Sequence, residues 1–281
     1  MEIDTNPDDS KISTADQLAY WNQISADEDG MLGGYPQVSR IDIQFSRTFL
    51  GKLRRLYPPA TKTTTTTTTY PFTRCLETGA GIGRVTLNLL STICERIDII
   101  EPIEKFTNVL TVSDSPLVKS GQLRRVYNVP LQDWTVETSP SWQASNDTSP
   151  PPPTTTTTAT DDTTITPTPT KNKADRPHKY DLIWNQWCLS HLSFDALVRY
   201  FASLIPLLAA DGWIIAKENL STNAFGTDTY YEEDSTVTRS DQNWRAAFEK
   251  AGLKIVKTQL QTGFPKDLGL LPVRIYAMRP K

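Results

Sequence analysis

Two periods of apolar residues run through this chain. Short stretches that are apolar at most positions read as buried strands: "RCLETG" (74–79), "RIDIIEP" (96–102), "LRRVYNV" (123–129), "YDLIWNQW" (180–187), "GWIIAKEN" (212–219), "LKIVKTQL" (253–260) and "LPVRIYAMR" (271–279). Between them lie segments with helical spacing. "RVTLNLLSTIC" (84–94) places Val85, Leu89 and Ile93 on one face, and "EKFTNVLTVS" (104–113) follows the second strand. "SFDALVRYFASLIPLLA" (193–209) has Ser193 as N-cap, and "SDQNWRAAFEKAG" (240–252) ends on Gly252. Strand and helix in alternation imply an α/β chain with a mostly parallel sheet covered on both faces. Ahead of the first strand, residues 14–24 and 38–57 form two amphipathic helices, the second offering Phe49, Leu50, Leu53 and Leu56 to one side.

Two stretches break this pattern. "PPATKTTTTTTT" (58–69) and the region from about 138 to 179, with "SPPPPTTTTTATDDTTITPTPT", cannot bury enough apolar area to offset ordering entropy. Both are expected to be disordered insertions. The implied organisation is a helical cap over 1–57, the first insertion over 58–69, and a main domain over 70–281 carrying the second.

Composition narrows the options. The chain has 281 residues, 38% of them hydrophobic, and a net charge of -3. That is ample for a core and lacks the basic balance of a nucleic-acid binder, so no nucleic-acid partner is expected. Apolar runs such as "ASLIPLLAA" fall well short of the ~20 residues that span a bilayer, and no membrane partner is expected. The N-terminus shows no apolar signal segment, so a cytoplasmic protein is expected, with the nucleus open as a second residence. Cys75, Cys94 and Cys188 are an odd, widely spaced set. They suggest neither a disulfide scaffold nor a metal site, and a reducing compartment is the default expectation.

"ETGAGIGR" (77–84) follows the first strand and opens the first helix. Glycines at 79, 81 and 83 let a ligand approach the backbone. The G-x-G-x-G spacing is one residue short of the dinucleotide fingerprint, which disfavours pyrophosphate. Glu101 ends the second strand, where a carboxylate suits two ribose hydroxyls. A tight structural turn is the competing reading of the glycines. Glycine loop, acid and strand order together resemble the S-adenosylmethionine methyltransferases.

The resemblance sharpens over "YWNQISADEDGMLGGYPQVSRIDI", "GAGIGR", "LQDW", "IWNQWCLSHL", "KEN" and "EDSTVTRS". These segments resemble the alpha N-terminal protein methyltransferases, which methylate the free α-amine of proteins starting X-Pro-Lys after Met removal. The resemblance implies a Rossmann-like class I methyltransferase fold, with a seven-stranded, mostly parallel sheet and an N-terminal helical cap. It implies S-adenosyl-L-methionine as cofactor, protein N-terminal peptides as partners, and no metal. "DGMLGGY" carries most weight, since generic methyltransferases lack it; in the family it helps to wall a peptide channel.

Carried over residue by residue, the resemblance assigns Gly79, Gly81, Gly83, Arg84, Glu101, Leu131, Gln132 and Gln186 to the cofactor. Leu131 has core packing as an equal alternative. Asp234 would hold and deprotonate the amine, Asn219 would hold the first peptide carbonyl, and His191 would be the second polar group at the amine. Trp187 and Trp21 would hold the substrate proline and line the channel mouth, with plain core roles as the alternative. Leu32 and Tyr35 would cover the peptide, while Glu232 and Thr236 would meet the Lys arm. An acidic run such as "YYEED" (230–234) is otherwise a solvated loop. Two departures touch peptide preference: the loop between Asn219 and Asp234 is longer than the family pattern, and "GLLPVRIYAM" lacks a tyrosine often found near the channel rim. A small-amine methyltransferase and an inactive scaffold that binds cofactor and N-termini remain the alternatives.

Overall fold

The structure is a computed structural model describing residues 7–59, 70–145 and 179–281. Residues 60–69 and 146–178, which hold most of both expected insertions, lie outside the described residues, as do 1–6.

The chain opens with a 3-10 turn, Pro7–Lys11, and helix α1, Thr14–Gln23, whose N-cap Ser13 accepts a hydrogen bond from the Asp16 N–H. Helix α2, Glu28–Met31, is one turn capped by Asp27. After a 3-10 turn at Pro36–Val38 comes α3, Ser39–Leu56. On α3, Ile43, Phe49, Leu50 and Leu53 are buried while Arg40, Gln44 and Arg47 face solvent. Leu56, expected on the apolar face, is exposed at the last turn. Full burial of one such Leu or Phe side chain is worth roughly 1.5–3 kcal/mol, so α3 is the cap's main anchor.

Strands and helices then alternate: β1 Phe72–Thr78, α4 Arg84–Asn88, β2 Cys94–Ile100, α5 Glu104–Thr111, α6 Pro116–Lys119, β3 Leu123–Tyr127 and β4 Trp142–Gln143. The second half runs β5 Tyr180–Gln186, α7 Phe194–Leu204, β6 Leu208–Asn219, β7 Thr229–Tyr231, β8 Thr236–Thr238, α8 Asp241–Lys250, β9 Leu253–Leu260 and β10 Val273–Pro280. The main sheet has the order β4-β3-β2-β1-β5-β6-β10-β9. Strands β3, β2, β1, β5 and β6 are parallel, β10 is antiparallel to both β6 and β9, and β4 is antiparallel to β3. The sheet therefore has eight strands, not the seven expected. The extra one, β4, is two residues long and sits inside the stretch read as an insertion from about 138.

Period-2 alternation with both faces buried explains why the strands read as continuous apolar runs. Leu76, Ile183, Ile214 and Tyr276 pack against α7 and α8. Their neighbours Cys75, Leu182, Ile215 and Ile275 pack against α3, α4 and α5. The helix expected over 84–94 is shorter: α4 stops at Asn88 and a 3-10 turn follows at Leu90–Thr92. There Ser91 and Thr92 turn their hydroxyls back on the carbonyls of Leu87 and Leu89, competing with a further helical turn. A second correction concerns the cysteines: Cys75 on β1 and Cys94 on β2 are disulfide-bonded, with Cα atoms 6.2 Å apart. Their spacing gave no sign of this, because it is parallel pairing of β1 with β2 that brings them together. Cys188 is free and buried.

Candidate active site

After β3 the chain crosses to the other side of β1, and the carboxyl ends of β1 and β5 part at that switch in direction. Ligand crevices of open α/β sheets lie at such points. Here a cleft of about 960 Å³, counted out to its open mouth, is walled by the β1–α4 loop, the end of β2, the segments after β3 and β5, and helix α1.

The inner wall is backbone and buried side chains. Gly79 and Gly81 both have positive φ, +63° and +53°, which favours glycine. A Cβ on Gly79 would lie 2.2 Å from Cys188 Cβ, so the turn after β5 seals one side of the loop. Gly83 does not line the cleft; a Cβ there would strike Leu110, and its left-handed backbone serves the start of α4. Glu101 is buried and accepts the N–H of Gly81 (2.8 Å) and of Ile103 (2.9 Å), one on each oxygen. A carboxylate has about four lone-pair sites, so capacity for ligand hydroxyls is left over. Burial pushes Glu101 up to about 7 and Glu77, deeper in the same wall, up to about 8. Glu77 is held by the Thr86 hydroxyl.

Arg84 is the one Lys or Arg lining the cleft among the described residues. Its guanidinium stacks 5.2 Å from the Trp187 ring, and its Nη1 is 2.8 Å from Asp42 Oδ2 without hydrogen-bond alignment. Gln186 spends its amide within the protein: Nε2 donates to Asp42 (2.9 Å) and Oε1 accepts from Trp184 (3.1 Å). Leu131 is buried in the wall, and Gln132 donates to Thr14 of α1 at 2.7 Å. A glycine cradle, a buried carboxylate with lone pairs to spare and a guanidinium at the cleft fit a nucleoside joined to an amino acid.

The outer wall holds Trp187, His191 and Trp21. Trp187 sits at φ +53°, rare for a non-glycine residue, with its indole N–H buried and unpartnered. Glu218 fixes this turn by accepting the N–H groups of Cys188 and Leu189, both at 2.9 Å. His191 Nε2 accepts the Trp21 indole N–H at 2.8 Å, which puts its proton on Nδ1, 3.2 Å from the Cys188 carbonyl. Burial lowers the His191 pKa against the opposing pull of Asp234.

Asp234 thus acts on His191, yet it stands outside the cleft proper, half-buried in the turn between β7 and β8. It accepts the hydroxyl of buried Thr236 at 2.6 Å. Asn219 ends β6 half-buried, and among the described residues its side-chain amide has no hydrogen-bond partner. Glu232 is exposed on the same turn as Asp234. Leu32 and Tyr35 also lie outside the cleft, Tyr35 well exposed; the residue of that segment that reaches in is Met31, whose sulfur faces Gly81. Sequence reasoning missed Met31, Glu77, Glu218 and Asp42. A buried acid in a strand or an amphipathic helix was the available signal for the last three.

A profile of the family described as AdoMet dependent proline di-methyltransferase matches residues 9–143 and 157–279. The chain is 32% identical to alpha N-terminal protein methyltransferase 1 of Schizosaccharomyces pombe, over 95% of either chain. It is 28% identical to N-terminal Xaa-Pro-Lys N-methyltransferase 1 of Homo sapiens, over 93% of each. Among solved structures it resembles a SAM-dependent methyltransferase of Leishmania major, with a TM-score of 0.65, 26% identity, and coverage of 94% of this chain and 82% of that one.

Proposed function

The chain belongs to the AdoMet-dependent proline di-methyltransferase family, and from that premise we propose that it methylates the free α-amine of protein chains beginning X-Pro-Lys. The fold is the Rossmann-like class I methyltransferase fold, and the cofactor is S-adenosyl-L-methionine. The observation that carries the reading is one cleft with two unlike walls: glycine loop, Arg84 and Glu101 on one side, Trp21, Trp187 and His191 on the other.

Bound S-adenosyl-L-methionine supplies an electrophilic methyl group. Arg84 takes its carboxylate, Glu101 its ribose hydroxyls, and Leu131 with Gln132 its base. The acceptor must arrive as a neutral amine. A free α-amine has pKa ~7.7–8.0, so losing its proton at neutral pH costs roughly 1 kcal/mol. Positioning therefore matters more than base strength. Asp234 holds the amine and receives its proton. His191, neutral and capped on Nε2 by Trp21, cannot take a proton until that indole moves, so its first role is to orient. The free amide of Asn219 holds the first peptide carbonyl, and the Trp187 indole covers the proline ring. Glu232 and its neighbours on the β7–β8 turn attract the Lys arm. The Thr236 hydroxyl donates to Asp234, which leaves its oxygen free to accept from the Lys arm. Leu32 and Tyr35 cover the peptide from the rim.

Two Ser-Pro-Lys peptides, one with a free and one with an acetylated amine, test this by mass spectrometry with S-adenosyl-L-methionine. Methyl gains on the free peptide alone are expected. Gain on both would make the lysine side chain the acceptor. Gain on neither, with cofactor bound, would contradict N-terminal transfer.

A further inference from the structure

Asp42 lies on the cap helix α3, outside the cleft lining, and is fully buried. Three elements, two of which line the cleft, meet at its carboxylate. Arg84, at the start of α4, and the Gln186 amide, at the end of β5, both reach Oδ2, at 2.8 and 2.9 Å. Lys217, two positions before Asn219 on β6, binds Oδ1 and also donates to Ser46 of α3 at 2.9 Å. Lys217 is itself fully buried.

The charges do not balance. One carboxylate faces two cations, Lys217 fully buried and Arg84 nearly so at the edge of the cleft, where an uncompensated charge is costly. Burial pushes the Asp42 carboxyl up, but Lys217 and Arg84 outweigh it and hold it below the usual range, so Asp42 stays ionised. Burial pushes the Glu77 carboxyl up to about 8, which favours its neutral form over one that would cancel the excess. Of the two cations only Arg84 reaches the cleft, and its Nη1 lacks a hydrogen-bond partner. A carboxylate arriving at the Arg84 guanidinium from the cleft would offset that charge.

We infer that Asp42 is a positioning residue through which the cap helix shapes the cofactor's carboxylate site: it fixes the Arg84 guanidinium, and with Gln186 and Lys217 it ties that site to the strands bearing Trp187 and Asn219. This rests on the reading of the cleft as the cofactor site. It makes the cap part of the cofactor-binding machinery as well as a wall for the peptide.

Two ligands titrated by calorimetry test the inference: S-adenosylhomocysteine and the same molecule lacking its carboxylate. In Asp42→Asn the first should bind about tenfold more weakly or worse, the scale of one lost charge-assisted hydrogen bond, while the second is unchanged. Because Asp42→Asn leaves two buried cations unopposed, Asp42→Asn combined with Lys217→Met restores the single charge and guards against misfolding. It should melt near the unaltered chain yet keep the selective loss. Equal weakening of both ligands would mean Asp42 only holds the fold, and unchanged or tighter binding of S-adenosylhomocysteine would also overturn the inference. Failure of the unaltered chain to bind either ligand would overturn the cofactor reading itself, and this one with it.

Discussion

The inner wall of the cleft and the proposed acceptor region beside it are built on different principles. On the inner wall the functional groups are backbone amides, glycines at positive φ and buried acids, each already hydrogen-bonded within the protein. In the proposed acceptor region, beside the outer wall of Trp21, Trp187 and His191, they are side chains outside the cleft, at the end of β6 and on the β7–β8 turn, where Asp234 and Asn219 are half-buried and Glu232 and Glu233 are exposed. The first wall is preformed, so it selects by shape and charges little reorganisation to binding. The second keeps its acids near solvent, so on the proposed function it would select a peptide by charge.

That contrast predicts unequal sensitivity to substitution. Gly79→Ala should be the harshest single change. It puts a Cβ 2.2 Å from Cys188 Cβ at a φ that disfavours side chains, a strain of at least about 1–3 kcal/mol before any ligand is considered. Calorimetry should show cofactor binding weakened by roughly 100-fold or lost, and retained affinity would mean that the loop is softer than its contacts suggest.

Glu77 and Glu101 set the next effect. Both are pushed up by burial, to about 8 and about 7, so in the empty cleft they hold protons near neutrality. A ligand carrying ammonium and sulfonium charges favours their ionised forms, so binding releases protons and affinity rises with pH. The slope between pH 6 and 8 should approach about tenfold per pH unit for each proton released. Calorimetry in buffers of differing ionisation enthalpy counts those protons; proton uptake would reverse the sign and refute the assignment.

Trp21→Phe removes the donor that caps His191 Nε2. The imidazole pKa should then rise by a fraction of a unit to about one unit, as expected for losing a hydrogen bond to the neutral form. NMR titration of the ring protons would detect it, and an unmoved pKa would show that the indole does not help to set it. Smallest of all, Glu232→Gln with Glu233→Gln should raise the peptide KM about two- to fivefold, less so at high salt, as for exposed charges. A loss in kcat instead would place one of these acids at the amine.

The same division explains what could be read without coordinates. Strand and helix order, the Ser193 cap and the cofactor loop were legible because local spacing encodes them. So were the α1 and α3 cap helices, whose faces follow the helical period. The Cys75–Cys94 bond and the Asp42–Lys217 pair were not, since each depends on which distant elements become neighbours. Gly83 looked like Gly79 and Gly81 in the motif, yet its neighbour is Leu110 and its task is packing. The acceptor residues came from family resemblance rather than periodicity. Asp234, Asn219 and Glu232 sit where no hydrophobic pattern constrains them.

The account turns most on Asp234 acting at the amine while the cofactor wall stands apart from it. In Asp234→Asn, S-adenosylhomocysteine affinity and methyl transfer to a Ser-Pro-Lys peptide should be measured on the same preparation. Affinity within about twofold of the unaltered chain, with transfer reduced by about 100-fold or more, is the predicted result. Transfer at the unaltered rate would remove Asp234 from the chemistry, and a parallel collapse of cofactor binding would erase the distinction between the inner wall and the acceptor region.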